Sequence, residues 1–544
     1  MLRITQFFWS ALLSCGTLGC MAPVNEKSAG NTGKSDTVPV IQHISSDIRS
    51  MAGNFSGQSS FIFDSSAIKV FLARFTDFKP LESDIRRFYR QRNYAYAWYE
   101  QGNLIEQATG LYARILRIDE EGIPQPLPYS NTLRAMMEQH DSISPIPANP
   151  TAELLLTAQY LYFARKVWQG IGDNNANETD WFLPRKKLTI AQLMDLLLKE
   201  KSEMPRDTLA VYMQYESLKK YLKKYRAIET LGGWPSIPKK GMPYRIGDTS
   251  AAITQIRKLL YLTEDFRGDT LSEVYDSVFS IAVKRYQQRH GWAPDGIIGS
   301  NTLQEMNVPV GERIRQLLVN MERCRWIPLS MKEDYILVNI PAYTLEVFEN
   351  DTIVKTMRVV VGKTMNRTVV FTGRLNNIVF NPYWYIPPGI YRKEILPEIK
   401  KDSGYLRKNE MEWFGNNLRQ KPGLNNPLGQ IKFVFPNSHN IYLHDTPSKG
   451  LFEKEQRAFS HGCIRIEEPR WLCNYLLRTD TTWNNEKMER IIRSGKEHFI
   501  QVKNKISVYV IYFTSWVDGK GDLQFRKDIY QKDERLASMI FEPK

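Results

Sequence analysis

The residues Phe459–Pro469 read FSHGCIRIEEP, and they set a cysteine two positions after His461 and two before Arg465, with Gly462 between. A structural cysteine sits among aliphatic neighbours and behaves as a small hydrophobe. Cys463 instead has positively charged neighbours, which favour the thiolate. A nucleophilic thiol needs a base within hydrogen-bond reach, and the base needs a third group to fix its tautomer. The stretch NIYLHDTP offers such a base. Its alternation puts Ile441 and Leu443 on one face of a strand and Tyr442 and His444 on the other, and the strand ends at the turn before Pro447. Gly462 allows a tight backbone, so that successive N–H groups from Gly462 and Cys463 can converge on a developing oxyanion.

Two blander readings compete. His439, His444, His461 and Cys463 could make a zinc set, with Asp445, Glu467 and Glu468 nearby, although His-x-Cys is a poor chelating step. Alternatively the histidines are satisfied structural residues and the thiol is inert.

The elements that must position these groups follow from the hydrophobic patterning. From Asp334 on, DYILVNIPAYTLEVF and then IVKTMRVVVGK carry β-branched and aromatic residues in period-2 runs. A strand-rich domain is expected over 330–505, with 506–544 supplying closing strands and a tail. The polar, turn-rich segment 388–430 reads as an insertion or lid over the sheet. Residues 61–240 show apolar positions three and four apart and read as a helical scaffold. Residues 246–315 form a small three-helix unit. The fold class expected is therefore multidomain: a β-rich domain with an inserted lid, a mostly α-helical scaffold and a small helical module.

At 544 residues the chain exceeds a single compact core. Its net charge of +14 suits a nucleic acid, an anionic membrane face or a carboxylate-rich polymer, and selects none of them. Basic and acidic residues are interleaved and no zinc-finger or RNP-like run occurs, which argues against nucleic acid. Residues 1–23, MLRITQFFWSALLSCGTLGCMAP, read as a secretion signal, a lipoprotein leader or a short membrane anchor, with Leu12-Leu13-Ser14-Cys15 resembling a lipid-attachment box. Residues 24–60 are rich in Ser, Gly, Asn and Lys and read as a flexible tether. Beyond the leader only Cys324, Cys463 and Cys473 remain, too few for a disulfide framework.

The spacing His444, fifteen residues, then Ser460-His461-Gly462-Cys463 resembles the signature of the L,D-transpeptidases. The likeness extends to AVKRYQQRHGWAPDGIIGSNTL, similar to that family's peptidoglycan-binding module, and to NPYWYIPPGIYRKEILP, similar to the catalytic domain of its large periplasmic members. FYRQRNYAYAW resembles their N-terminal scaffold. The resemblance implies a cysteine-dependent acyltransferase that needs no cofactor or metal and joins diaminopimelate residues of neighbouring peptidoglycan stems into 3-3 crosslinks. It implies Cys463 as nucleophile and His444 as base, oriented by the main-chain carbonyl of Ser460. The N–H groups of His461, Gly462 and Cys463 would form the oxyanion hole. Arg465, Tyr442, Asp445, Trp384 and Tyr383 would meet substrate. Partners implied are stem peptides and glycan strands, with a membrane or lipid anchor, inhibition by carbapenem-type β-lactams, and a periplasmic location. One departure stands out: relatives often carry Thr-Pro after the VVGK strand, where this chain has Thr368-Val369-Val370. Three rivals share parts of the reading: a carboxypeptidase with water as acceptor, attachment of an envelope protein to the wall, and a non-enzymatic wall-binding scaffold.

Overall fold

In the computed structural model, residues 55–56, 61–138, 148–172, 180–183, 212–239, 241–327 and 334–541 are described. The leader and most of the tether expected over 1–60 lie outside these residues. No helix among the described residues is long and apolar enough to cross a membrane.

Among the described residues the N-terminal part is helical apart from a hairpin of β1 (Tyr99–Glu100) and β2 (Asn103–Leu104). Its central helix, Pro150–Ala164, starts where the Asn149 side chain accepts the Ala152 N–H at 2.9 Å and Pro150 occupies the first turn. Almost every side chain of this helix is buried, so it runs through the core of the scaffold rather than along its surface. Phe55 and Trp98 pack edge-to-face on Tyr160 of this helix, and Phe63 packs edge-to-face on Tyr89 nearby.

Helices Ala251–Leu262, Ser277–Arg289 and Ser300–Met306 form a unit with its own apolar core, including Ile253, Leu260, Phe279, Val283 and Leu303. Ser250 and Asp276 cap the first two helices through the N–H groups of Ala252 and Phe279. Two arginines tie the unit to the C-terminal hairpin: buried Arg289, paired with Asp265 inside the unit, donates to the Leu523 carbonyl at 3.1 Å, and Arg285 meets Asp522 at 2.6 Å.

Helix Val310–Trp326 leads into the β-rich domain and is buried along most of its length. Its side chains belong to the same apolar cluster as the scaffold and the sheet, so these two regions share one core.

The sheet contains β3 (Tyr335–Asn339), β4 (Thr344–Glu349), β5 (Thr352–Gly362), β6 (Phe371–Phe380), β10 (Ile431–Val434), β11 (Leu443–His444), β12 (Ala458–Ser460), β13 (Ile464–Ile466) and β14 (His498–Ile511). The order is β12-β5-β13-β11-β10-β6-β14-β3-β4, and β4 pairs again with β5, so the sheet closes on itself. Closure removes the open edges that would otherwise invite pairing with another chain. The segment Asp180–Leu183 adds a further pairing: Phe182 N–H donates to the Val370 carbonyl at 2.8 Å, next to the start of β6.

Between β6 and β10 the chain leaves the sheet and builds a separate layer. It contains β7 (Trp384–Tyr385), β8 (Met411–Phe414) and β9 (Asn417–Gln420) in the order β7-β9-β8, with short helices and a cluster of Ile386, Ile395 and Leu418. This layer overlaps the insertion expected over 388–430, begins earlier at Trp384, and carries a small core of its own. After β14, β15 (Ser515–Val517) and β16 (Leu523–Phe525) form a hairpin, followed by helix Lys532–Phe541. The architecture agrees with the expected fold class.

Candidate active site

The parallel pairing of β11 with β13 brings the two candidate segments together. Leu443 faces Ile464 and His444 faces Arg465 in the ladder, and the Ile464 N–H donates to the Tyr442 carbonyl at 3.1 Å. This register sets Cys463 beside Tyr442, and alternation puts Tyr442 and His444 on one face, their rings 5.7 Å apart and nearly edge-on.

His444 is buried, and its Nδ1 lies 2.6 Å from the Asp445 carbonyl oxygen. A carbonyl only accepts, so Nδ1 carries the proton and Nε2 presents its lone pair. Burial, reinforced by the positive charge of Arg465, holds the imidazole pKa down at about 3. His444 is therefore a neutral base over the physiological range. The expected orienting group, the Ser460 carbonyl, is instead engaged by the Lys363 N–H at 3.0 Å. The orienting role falls to the residue next in sequence, which a neighbouring strand is not needed to supply.

Cys463 is half-buried, and its Sγ donates to the Asn440 carbonyl at 3.7 Å. Burial pushes its pKa up, opposed by hydrogen bonds from the side chain and backbone of Tyr442 and by the charges of Lys432 and Arg465. The thiolate expected from the basic neighbours is thus not the resting form, because desolvation outweighs the nearby cations. The thiol and the imidazole, carried by segments that the β11–β13 pairing joins, both rest neutral. Lys432 lies with Nζ 3.9 Å over the Tyr442 ring, and burial lowers its pKa as well. Arg465 has its Nε buried without a hydrogen-bond partner, an unsatisfied donor beside the thiol.

The loop around the thiol is tightly tied. Ser460 is buried; its Oγ donates to the Cys463 carbonyl at 2.5 Å and accepts the Gly462 N–H at 3.1 Å. The Gly462 N–H, expected in the oxyanion hole, is committed to that hydroxyl, which leaves the N–H groups of His461 and Cys463 as candidates. Gly462 has φ +117°, a conformation that favours glycine. His461 is exposed and its Nε2 sits 2.7 Å from Glu394 Oε1, which joins the loop to the lid.

The remaining expected substrate residues have other engagements. The Asp445 carboxylate is buried, accepts the Gln430 N–H at 2.9 Å and pairs with Lys449 at 2.6 Å, which satisfies it within the protein. Tyr383 donates its N–H to Glu497 at 3.0 Å and carries the Arg419 guanidinium 3.9 Å over its ring. Trp384 pairs with Gln420 and packs on the lid cluster. Both sit at the root of the lid. His439 packs its ring, tilted, against Phe182 and Phe371. Among the described residues no group of three or more His, Cys, Asp and Glu side chains could hold a metal ion. Cavities of about 380 Å³ beside Trp292, Arg313 and Asp533 and of about 440 Å³ beside Arg374, Arg478 and Lys505 include none of the site residues.

Sequence reasoning missed Lys432, Asn440 and Glu394. Lys432 was legible as one cation in a short apolar strand, IKFV, whose period-2 pattern points it away from Ile431 and Phe433. Glu394 left no signal, because its partner is 67 positions away across the lid.

Three family profiles match the chain: the L,D-transpeptidase catalytic domain (YkuD) over residues 333–491, a scaffold domain over 83–222, and a "Putative peptidoglycan binding domain" over 249–306. A Haemophilus influenzae protein described as "Putative L,D-transpeptidase" is 31% identical over 243 residues, 41% of this chain and 49% of that protein. The aligned region thus spans about half the length of that relative. Solved structures with detectable likeness include an L,D-transpeptidase from Xylanimonas cellulosilytica, with 12% identity, 50% of this chain, 100% of that chain and a TM-score of 0.16. Another, from Stackebrandtia nassauensis, has 14% identity, 50% and 97% coverage and a TM-score of 0.22. At the level of the superfamily, the profile matches make the chain L,D-transpeptidase-like.

Proposed function

We propose that this L,D-transpeptidase-like chain forms 3-3 crosslinks in peptidoglycan through a cysteine thioester, acting on the outer side of a cell membrane. The observation that carries the reading is the pairing of β11 with β13, which sets a buried, tautomer-fixed His444 on the strand alongside the one that follows Cys463. In the cycle, His444 Nε2 takes the thiol proton as Sγ attacks the carbonyl of the third stem residue. The terminal D-alanine leaves with that proton, and the thioester remains. The side-chain amine of a second stem then attacks the thioester, loses a proton to His444, and the thiol is restored as the sulfur leaves. Because both partners rest neutral, proton transfer accompanies attack instead of preceding it.

The His461 and Cys463 N–H groups would hold the oxyanion. Arg465 and Lys432 supply positive charge for the developing thiolate and for a stem carboxylate. The lid, tied to the nucleophile loop by Glu394, favours an amine over water as acceptor by screening the thioester. The 246–315 unit, docked on the C-terminal hairpin, would hold glycan or stem in register with the site.

The test is the mass of the products after incubation with disaccharide-tetrapeptide. A crosslinked dimer is expected. A trimmed tripeptide alone would assign the chain to carboxypeptidases, and unchanged substrate would reduce it to a wall-binding scaffold.

A further inference from the structure

The departure at Thr368 leads to a residue outside the expected catalytic set. Thr368 is fully buried, and its Oγ1 makes two hydrogen bonds. It accepts the Gly362 N–H at 2.9 Å and donates to the Gly462 carbonyl at 2.8 Å. A hydroxyl has one proton, so accepting from Gly362 leaves that proton for Gly462. The Gly462 carbonyl and the Cys463 N–H belong to one planar peptide group and point in opposite directions. Whatever fixes the carbonyl therefore aims the N–H, and a hydrogen bond to the carbonyl also polarises the peptide.

Thr368 is itself held from behind. Its N–H donates to Tyr530 Oη at 3.3 Å, and the Tyr530 hydroxyl donates to the Gly362 carbonyl. The Tyr530 N–H donates in turn to Tyr512 Oη at 2.9 Å. The loop 363–368 folds back so closely that a Cβ on Gly362 would lie 2.1 Å from the Asn366 carbonyl oxygen. Thr368 and Tyr530 thus lock both backbone groups of Gly362, and Thr368 carries the lock across to the nucleophile loop.

We propose that Thr368 is a positioning residue of the oxyanion pocket, aiming the Cys463 N–H through the Gly462 carbonyl, with Tyr530 holding Thr368 in place. The inference rests on the transpeptidase reading given above, because only a reaction at a carbonyl develops an oxyanion.

The experiment compares two reactions of the same thiol in the full chain. Acylation by disaccharide-tetrapeptide is followed by intact mass at limiting and saturating substrate. Alkylation of Cys463 by iodoacetamide is followed in parallel; it proceeds at a saturated carbon and forms no oxyanion. Thr368→Val is expected to slow saturated acylation by about 10- to 100-fold with little change in KM, the loss typical of a misplaced reacting group. Its alkylation should stay within about twofold of the parent, and Thr368→Ser should restore most of the acylation. Tyr530→Phe keeps the Thr368 hydroxyl and should show the same split at smaller size, which preserves the test if Thr368→Val fails to fold. Acylation by Thr368→Val at the parental rate would overturn the inference, as would a parallel loss of alkylation or a Thr368→Ser that fails to restore it. If the unaltered chain forms no acyl adduct while its thiol alkylates normally, the transpeptidase reading fails and takes this inference with it.

Discussion

The protonation state of His444 makes the sharpest prediction. Its imidazole is held at about 3 against an ordinary value of 6.5. That depression corresponds to roughly 5 kcal/mol against protonation in the folded chain. At about pH 5 an ordinary histidine would be neutral to only about 3%, whereas His444 should be about 99% neutral, a thirtyfold difference in available base. The acid limb of acylation should therefore lie near pH 3 to 4. Because Arg465 contributes to the depression, Arg465→Gln should move that limb to higher pH. The direct assay is NMR of histidine-labelled protein, with the His444 signal assigned from His444→Asn, titrated from about pH 7 to pH 4. The signal should keep its neutral shift throughout. A stability consequence has a definite sign: the unfolded chain takes up the proton below about 6.5 and the folded chain does not, so this contribution is present above 6.5 and lost as pH falls toward 3. A His444 signal titrating near 6.5 would refute the burial argument and the resting state built on it.

The remaining predictions concern other groups. A single acyl adduct should map to the Cys463 peptide and vanish in Cys463→Ala; Cys324 and Cys473 are fully buried with pKa values pushed up, and an adduct on either would contradict the assignment. Alkylation of Cys463 should keep rising beyond about pH 9, with no neutral-pH plateau of a preformed thiolate, since burial raises its pKa. Glu153 is buried and pushed up to about 7 against 4.5, so the folded chain holds a proton that the unfolded chain has released. Relative to Glu153→Gln, the parent should lose up to about 3 kcal/mol as pH rises from 4.5 to 7, read from denaturation midpoints, and a pH-independent difference would count against it. The exposed His461–Glu394 pair should add less than about 1 kcal/mol to stability. His461→Ala should nevertheless speed hydrogen exchange in 388–401; unchanged exchange there would show that the pair does not hold the lid.

The parts of the site legible in sequence were those set by local spacing. Tyr442 and His444 share a face because strand alternation fixes it, and the Ser460-His461-Gly462-Cys463 run marks the loop that carries the candidate thiol. What was not legible depends on burial and on distant strands. Arg465 is visible in the sequence as a charge near Cys463, but the desolvation that outweighs it exists only once β5, β11 and β13 are assembled. The orienting carbonyl of His444 was sought in a neighbouring segment, whereas the turn after β11 folds the Asp445 carbonyl back onto the ring. Thr368 registered only as a missing proline. Its meaning depends on Tyr530, 162 positions further on, which no periodicity connects to it.

The place of β14 in the sheet has a consequence for how the chain matures. It is the last long strand in sequence, yet it lies between β6 and β3 and pairs with both. Its parallel partner β3 precedes it by about 170 residues, a closure that carries a large entropic cost and slows folding. A chain made from its N-terminus can assemble the scaffold early. Without β14 the other strands stay joined through the β4–β5 pairing, but the sheet remains open between β6 and β3 until residue 511 has emerged, although Cys463 and His444 were made well before. Closure of the sheet therefore waits for β14, and chains truncated within it should expose the facing edges of β6 and β3 to pairing with other chains.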